Sequence, residues 1–137
     1  MSDVKITASR LEQSKRDKES VLDRLKNKKP RTKTLKVEVG GEELELTFKA
    51  ISSHDLDALQ TKHAPTIEQK AKGFNFNPDT FGPALVAACS SEPEMTEDDT
   101  LELWESGAWS TGELGQLFDT CISLCMEGMN TNFTSSA

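Results

Sequence analysis

The amino-acid sequence predicts an α+β fold, mainly α: an N-terminal basic helix or arm, one β-hairpin, then a compact bundle of about four to five short helices. Three observations carry this. Apolar residues alternate on either side of a Gly-Gly pair in TLKVEVGGEELELTFKAI. Beyond that pair, apolar residues recur at three-and-four spacing in one segment after another. Residues that cap helix starts stand in front of those segments.

The first segment, Ala8 to Lys29, is rich in helix formers, with Leu11, Val21, Leu22 and Leu25 as its only large apolar side chains. Such a thin stripe makes a helix that is marginal alone and needs a partner surface. Pro30 should end it, because a proline disfavours helical backbone at the residue before it. In the hairpin, Leu35, Val37 and Val39 alternate with polar residues, Gly40 and Gly41 supply a tight turn, and Leu44, Leu46 and Phe48 resume the alternation. A hairpin with one apolar face is barely stable in water, so that face must pack on helices or on another chain.

From Ser52 the pattern turns helical. Ser52 with Asp55 approximates a capping box, and Leu56, Leu59 and His63 share a face before Ala64-Pro65 interrupts. A short helix over Thr66 to Lys72 follows, stopped by Gly73. Asn77 is an N-cap with Pro78 at the first helical position, and Pro83 is expected to begin a second start, since inside a helix it costs about 3 kcal/mol. The run Ala84 to Cys89 is apolar nearly all round and should be the buried centre. Thr96 with Asp99 caps a helix through Leu101, Leu103 and Trp104. Ser110 with Glu113 forms a fuller capping box for a last helix carrying Leu114, Leu117, Phe118, Cys121, Ile122, Leu124 and Cys125. The tail after Met129 is polar.

A length of 137 residues suits one folded unit. The divisions expected are a basic helical arm over 1–33, the hairpin plus helical domain over 34–129, and a flexible tail over 130–137. Net charge is −7, but unevenly spread. Residues 1 to 36 hold twelve Lys/Arg and five Asp/Glu, a balance of +7; residues 37 to 137 hold four against eighteen, a balance of −14. A basic arm binds nucleic acid or docks on an acidic protein, including its own body. The arm lacks the interleaved aromatics of base-stacking surfaces, which weighs against nucleic acid. The opening MSDVKIT has no apolar run of the signal-peptide kind, the odd count of three Cys fits a reducing compartment, and no eighteen apolar residues run together, so no membrane span is expected.

Chemistry has few footholds. Cys121 and Cys125 lie four apart on one helix with Cys89 on another, a geometry that could gather three sulfurs about a metal. No fourth ligand follows at suitable spacing, and free cysteine is among the most buried residue types, so packing is the stronger reading and no metal or other cofactor is expected. His54 falls in a helix's first turn and His63 near its end, where helix-end hydrogen bonding is the ordinary role. The acids Glu97 to Asp99 and Glu42-Glu43 lie at a helix start and beside a turn, without the pocket a catalytic carboxylate needs. Gly40 and Gly41 precede a strand, so they form no phosphate loop. The expectation is a protein that is not an enzyme. Trp104 reads as core at the join of the last two helices, and Trp109 equally as core or as a partner anchor.

The run FNPDTFGPALVAACSSEPEMTEDD followed by LWESGAWSTGELGQLF resembles the tail assembly chaperones of long-tailed (siphovirus) bacteriophages, of the type found in phages of actinobacteria. The shared order is a hairpin-like opening, an NPDTF segment, a proline-led apolar helix, a SxEP turn, an acidic cap and a W-S-x-G-E helix. It covers about Phe48 to Glu127. The motif residues are Asn77, Pro78, Asp79, Thr80 and Phe81, then Trp104, Trp109, Ser110, Gly112 and Glu113, read mainly as framework. The lysine-rich opening before Lys33 departs from the pattern.

What the resemblance implies is a chaperone that binds the tape measure protein and keeps it soluble while the tail tube polymerises. It further implies action in the host cell cytoplasm, absence from the mature virion, and as further partners the tail tube protein and a frameshift-extended form of the chain itself. A homo-oligomer is an additional expectation. The residues offered for partner contact are Leu35, Val37, Val39, Leu44, Leu46 and Phe48 on the hairpin, with Trp109. Two alternatives stand beside this reading: a structural tail component or adaptor retained in the virion, and a nucleic-acid-binding regulator acting through the basic arm.

Overall fold

The computed structural model describes Lys15, Lys18 and residues 20–128. The start of the expected first helix, with Leu11, and the tail over 130–137 lie outside the described residues. Helix α1 includes residues 20–26, every one of them exposed, and Lys15 and Lys18 are helical and exposed too. It ends three residues before Pro30 is reached, earlier than the sequence predicts.

Strands β1 (Thr32–Val39) and β2 (Glu42–Lys49) pair antiparallel, with Val39 opposite Glu42 and Leu35 opposite Leu46. The two-residue connection needs positive φ at both positions, and Gly40 and Gly41 supply it at 60° and 83°. After β2 come α2 (Ser53–Lys62), α3 (Ile67–Ala71), α4 (Pro78–Cys89), β3 (Ser90–Glu92), α5 (Glu97–Glu105) and α6 (Thr111–Met126). The fold is therefore α+β and mainly helical, with one three-stranded antiparallel sheet in the order β1-β2-β3.

Caps set the helix starts, those at Ser52, Asn77, Thr96 and Ser110 as the sequence predicts and that at Thr66 in addition. The Ser52 side chain accepts from the Asp55 amide, and Thr66, Thr96 and Ser110 each form reciprocal capping boxes with Gln69, Asp99 and Glu113. Each box satisfies two backbone donors that a helix start leaves unpaired.

Helix α4 is the centre. Phe81, Leu85, Val86 and Cys89 are fully buried, against Phe48 from β2, Leu56 from α2, and Leu114, Leu117, Cys121 and Leu124 from α6. Two expectations need correction here. Pro83 does not begin a new helix; it sits inside a single helix that starts at Pro78. Burying Phe81, Leu85 and Val86 is worth about 1.5–3 kcal/mol each, which outweighs the roughly 3 kcal/mol an interior proline costs. Gly82, having no Cβ, also relieves the crowding that a proline imposes on the residue before it. The second correction concerns the turn expected at SSEP. Ser90–Glu92 pairs with β2, with Ser90 opposite Phe48 and Glu92 opposite Thr47 across an irregularity, and so adds a third strand. Ser90 is buried and gives its hydroxyl to the Ala87 carbonyl at 2.7 Å while accepting from the Met95 amide at 2.8 Å.

Candidate functional site

Two hollows share one wall, and that wall is Trp109. The larger is a groove of about 560 Å³ between α4, α5 and α6, lined by Phe74, Phe76, Pro78, Gly82, Trp104, Trp109, Thr111, Leu114, Gly115 and Phe118. The smaller, about 270 Å³, lies between β1 and α6 and is lined by Leu35, Lys36, Val37, Glu38, Trp109, Glu113, Gln116 and Leu117.

The groove's shape follows from local signals. Asn77 ties its N-terminal side together: its side-chain oxygen accepts from the Asp79 amide at 3.1 Å and from Gln69 Nε2 at 3.0 Å, and its own amide donates to the His63 carbonyl at 2.7 Å. That fixes the entry to α4 and places Phe76 and Pro78. Phe76 then stacks on Phe81 with centroids 4.6 Å apart, and Phe81 meets Phe118 edge-on at 6.0 Å. Phe76 and Phe118 line the groove and Phe81 lies buried against both, in the tilted geometries aromatic pairs prefer.

On the opposite side, Trp109 stands immediately before the cap of α6. Ser110 donates its amide to Glu113 Oε1 at 2.9 Å, and the Glu113 amide returns a bond to Ser110 Oγ at 3.1 Å. The Ser110 amide first, and the Ser110 hydroxyl second, hold the Glu113 carboxyl below its ordinary range. With Ser110 as cap, Trp109 and Leu114 occupy the positions of a hydrophobic staple, which sets the angle at which the chain enters the helix. Both line the groove. The staple is readable in W-S-T-G-E-L and was the signal that could have joined Trp109 to Leu114 from sequence. Trp104 reaches the groove from α5, over Gly82, where an added Cβ would stand 3.5 Å from its ring in ordinary contact.

Of the residues offered for partner contact, the structure brings Leu35, Val37 and Trp109 to the smaller hollow. Val39 and Leu44 are exposed near the hairpin tip. Phe48 is corrected: it is fully buried between the sheet and α4, so its surface is already used within the chain. Leu46 is half-buried and packs on the same core. Of the motif residues, Pro78, Trp104 and Trp109 line the groove, Phe81 is buried behind it against Phe76 and Phe118, and Asn77, Ser110 and Glu113 hold its ends. Asp79, Thr80 and Gly112 are exposed. Trp104, read as core, is half-buried and belongs to both core and groove. Sequence reasoning missed Phe74, Phe76, Gly82, Leu114, Gly115 and Phe118 as groove residues, because they reach it from two different helices and a loop.

Electrostatics sharpen the picture. From Gly73 to Gly128 the chain holds eleven Asp/Glu and no Lys or Arg. Asp79, Glu105, Glu113 and Asp119 are sequence neighbours of the groove residues and all are exposed. The nearest cations along the chain are Lys70 and Lys72, before Phe74.

The thiols form a separate cluster beneath. Cys89 and Cys121 are buried, and Cys89 Sγ lies 3.8 Å from Cys125 Sγ. Contact with Cys121 and burial push the Cys89 thiol up, and burial pushes Cys125 up to about 11. Such thiols stay protonated at neutral pH and are poor nucleophiles. Among the described residues no group of three or more His, Cys, Asp or Glu side chains is arranged to hold a metal ion. No described helix is long and apolar enough to cross a membrane. His63 Nε2, buried and without a hydrogen-bond partner among the described residues, lies 3.9 Å from Glu97 Oε1.

No family model, curated protein or solved structure matches this chain.

Proposed function

We propose that the chain is a tail assembly chaperone of long-tailed bacteriophages, which holds apolar helical stretches of the tape measure protein and keeps that protein soluble until the tail tube closes around it. The observation that carries the reading is convergence: the two stretches of the resemblance, around NPDTF and around LWESGAWSTGELGQLF, line opposite sides of one groove. A groove of aromatic and aliphatic side chains is suited to the apolar stripe of an amphipathic helix. The acidic surroundings would keep a loaded complex apart from other loaded complexes by like-charge repulsion. On this reading the protein works in the host cytoplasm and leaves before the virion matures.

Co-expression with the tape measure protein tests it. The soluble yield of that protein should rise with the parent chain and rise far less with Trp109→Ala, whose wall in both hollows is gone. An unchanged soluble yield, with both proteins well expressed, would refute the reading. Mass spectrometry of purified virions separates a chaperone, which should be missing, from a retained tail component.

The exposed basic helix α1 keeps the nucleic-acid reading as the second one. Were it correct, binding to duplex or single strands would weaken steeply with salt, since Lys and Arg contacts to phosphates release counterions.

A further inference from the structure

Two surfaces of this chain lack an apolar cover, and their charges are opposite. On α1, Val21, Leu22 and Leu25 are 55%, 42% and 65% exposed. At spacing i, i+1 and i+4 they form one stripe, and a short helix in water does not hold such a stripe without a surface to cover it. Around them Lys18, Arg24, Lys26, Lys28 and Lys29 are exposed cations. The groove offers the reverse: an aromatic and aliphatic lining set in a stretch of eleven acids without one Lys or Arg.

We infer that the groove between α4, α5 and α6 is the docking site for the α1 helix of a second copy of this chain, with Val21, Leu22 and Leu25 against the groove's aromatic side chains and the arm's cations toward Asp79, Glu105 and Asp119. Apolar burial supplies the attraction, and the opposite charges set partner and orientation. The arm's own body is a poorer host. The chain leaves that body at Arg31, whose guanidinium meets Glu127 at 3.2 Å and whose carbonyl accepts from the Ala50 amide at 2.9 Å. This anchor lies at the C-terminal end of α6, beside Leu124 and Cys125. The groove uses the other end, Thr111 to Phe118. The four non-helical residues 27–30 reach about 14 Å at most, enough to bring the arm's end to Phe118, about 10 Å along the helix axis from Cys125, but not to Thr111 at the groove's far end, about 21 Å away. Every residue from 20 to 26 of α1 is exposed, so its apolar stripe is not seated in the groove of its own body. Reciprocal exchange of arms between two copies fills both grooves and closes the pair.

The inference stands apart from the tape measure reading, because self-association is measured with no client present. The two tryptophans of the chain both line the groove, so their emission reports its occupancy directly. Full-length protein is followed by sedimentation velocity and tryptophan emission from about 1 to about 200 μM, where a mass-action equilibrium becomes visible. The expected result is association with a blue shift that grows with concentration, weakened about tenfold between low and high salt by screening. Leu22→Asp with Leu25→Asp, at exposed positions, should keep the parent's far-ultraviolet spectrum and weaken association at least about a hundredfold, the effect of losing two central apolar contacts. That variant retains an intact groove, so adding excess parent should restore the blue shift. A parent that stays monomeric throughout would overturn the inference, as would association that survives the double substitution. A blue shift present at every concentration and lost in the variant would place the arm on its own body and overturn it equally.

Discussion

The Thr100 hydroxyl donates to the Pro83 carbonyl at 2.7 Å, fully buried, and so fastens α5 to the one helix of the core that contains a proline. The same hydroxyl lies 3.0 Å from the Glu97 carbonyl of its own helix. Thr100→Val keeps the shape and removes the donor. The expected loss is about 1 kcal/mol, the net worth of a typical intramolecular hydrogen bond. Urea unfolding checks it: a midpoint shift at unchanged slope is the predicted signature, and an unaltered midpoint would show that the bond contributes nothing.

Ser110→Ala removes the cap that seats Trp109, at a cost of about 1 kcal/mol. Its pH signature is specific. Glu113 titrates below its ordinary range because of the Ser110 amide and hydroxyl, so the box stabilises the fold above the unfolded carboxyl value, and that contribution is lost as pH falls through the lower folded value. Ser110→Ala leaves the Ser110 amide in place, so its acid unfolding curve should run nearly parallel to the parent's, whereas the Glu113→Gln curve should converge with the parent's at the acid end. A Glu113→Gln curve parallel to the parent's at all pH values would show that the ionised carboxylate contributes nothing.

Leu85→Ala empties a fully buried position in α4 and should cost about 2–5 kcal/mol. Leu117→Asp and Val86→Asp go further, each burying an unpaired charge, and should abolish folding. Circular dichroism and melting decide; a variant that melts like the parent would remove that residue from the core.

The thiols predict behaviour in base. Cys125 is held up from 9.0 to about 11 by burial, and a group raised in the folded state adds stability below its unfolded value that is lost as pH rises through the folded one. Stability should fall between those two values, and Cys125→Ala should flatten the fall. Near neutral pH the native thiol should alkylate about a hundredfold more slowly than in denaturant, following its smaller thiolate fraction. Rapid native alkylation would contradict the burial.

Much of the fold was legible along the chain. The hairpin and its Gly40-Gly41 turn depend on alternation and positive φ within a few residues. The starts of α2 to α6 depend on Ser52, Thr66, Asn77, Thr96 and Ser110 hydrogen-bonding two or three residues ahead. The buried centre of α4 announced itself as an apolar run. The groove was less legible. Trp109 was singled out, but Phe76 and Phe118, 42 positions apart, meet only after folding, at 6.4 Å.

By itself, then, the sequence determined the hairpin, the helix starts, the apolar centre and the split between a basic arm and an acidic body, because each rests on composition or on bonds spanning at most a turn. Tertiary structure decided that α4 runs unbroken through Pro83, that Ser90–Glu92 joins the sheet beside β2, that Phe48 faces the core, and that Trp104 and Trp109 border one groove. Those outcomes turn on burial shared among distant segments, where several kcal/mol of packing override a local preference worth less.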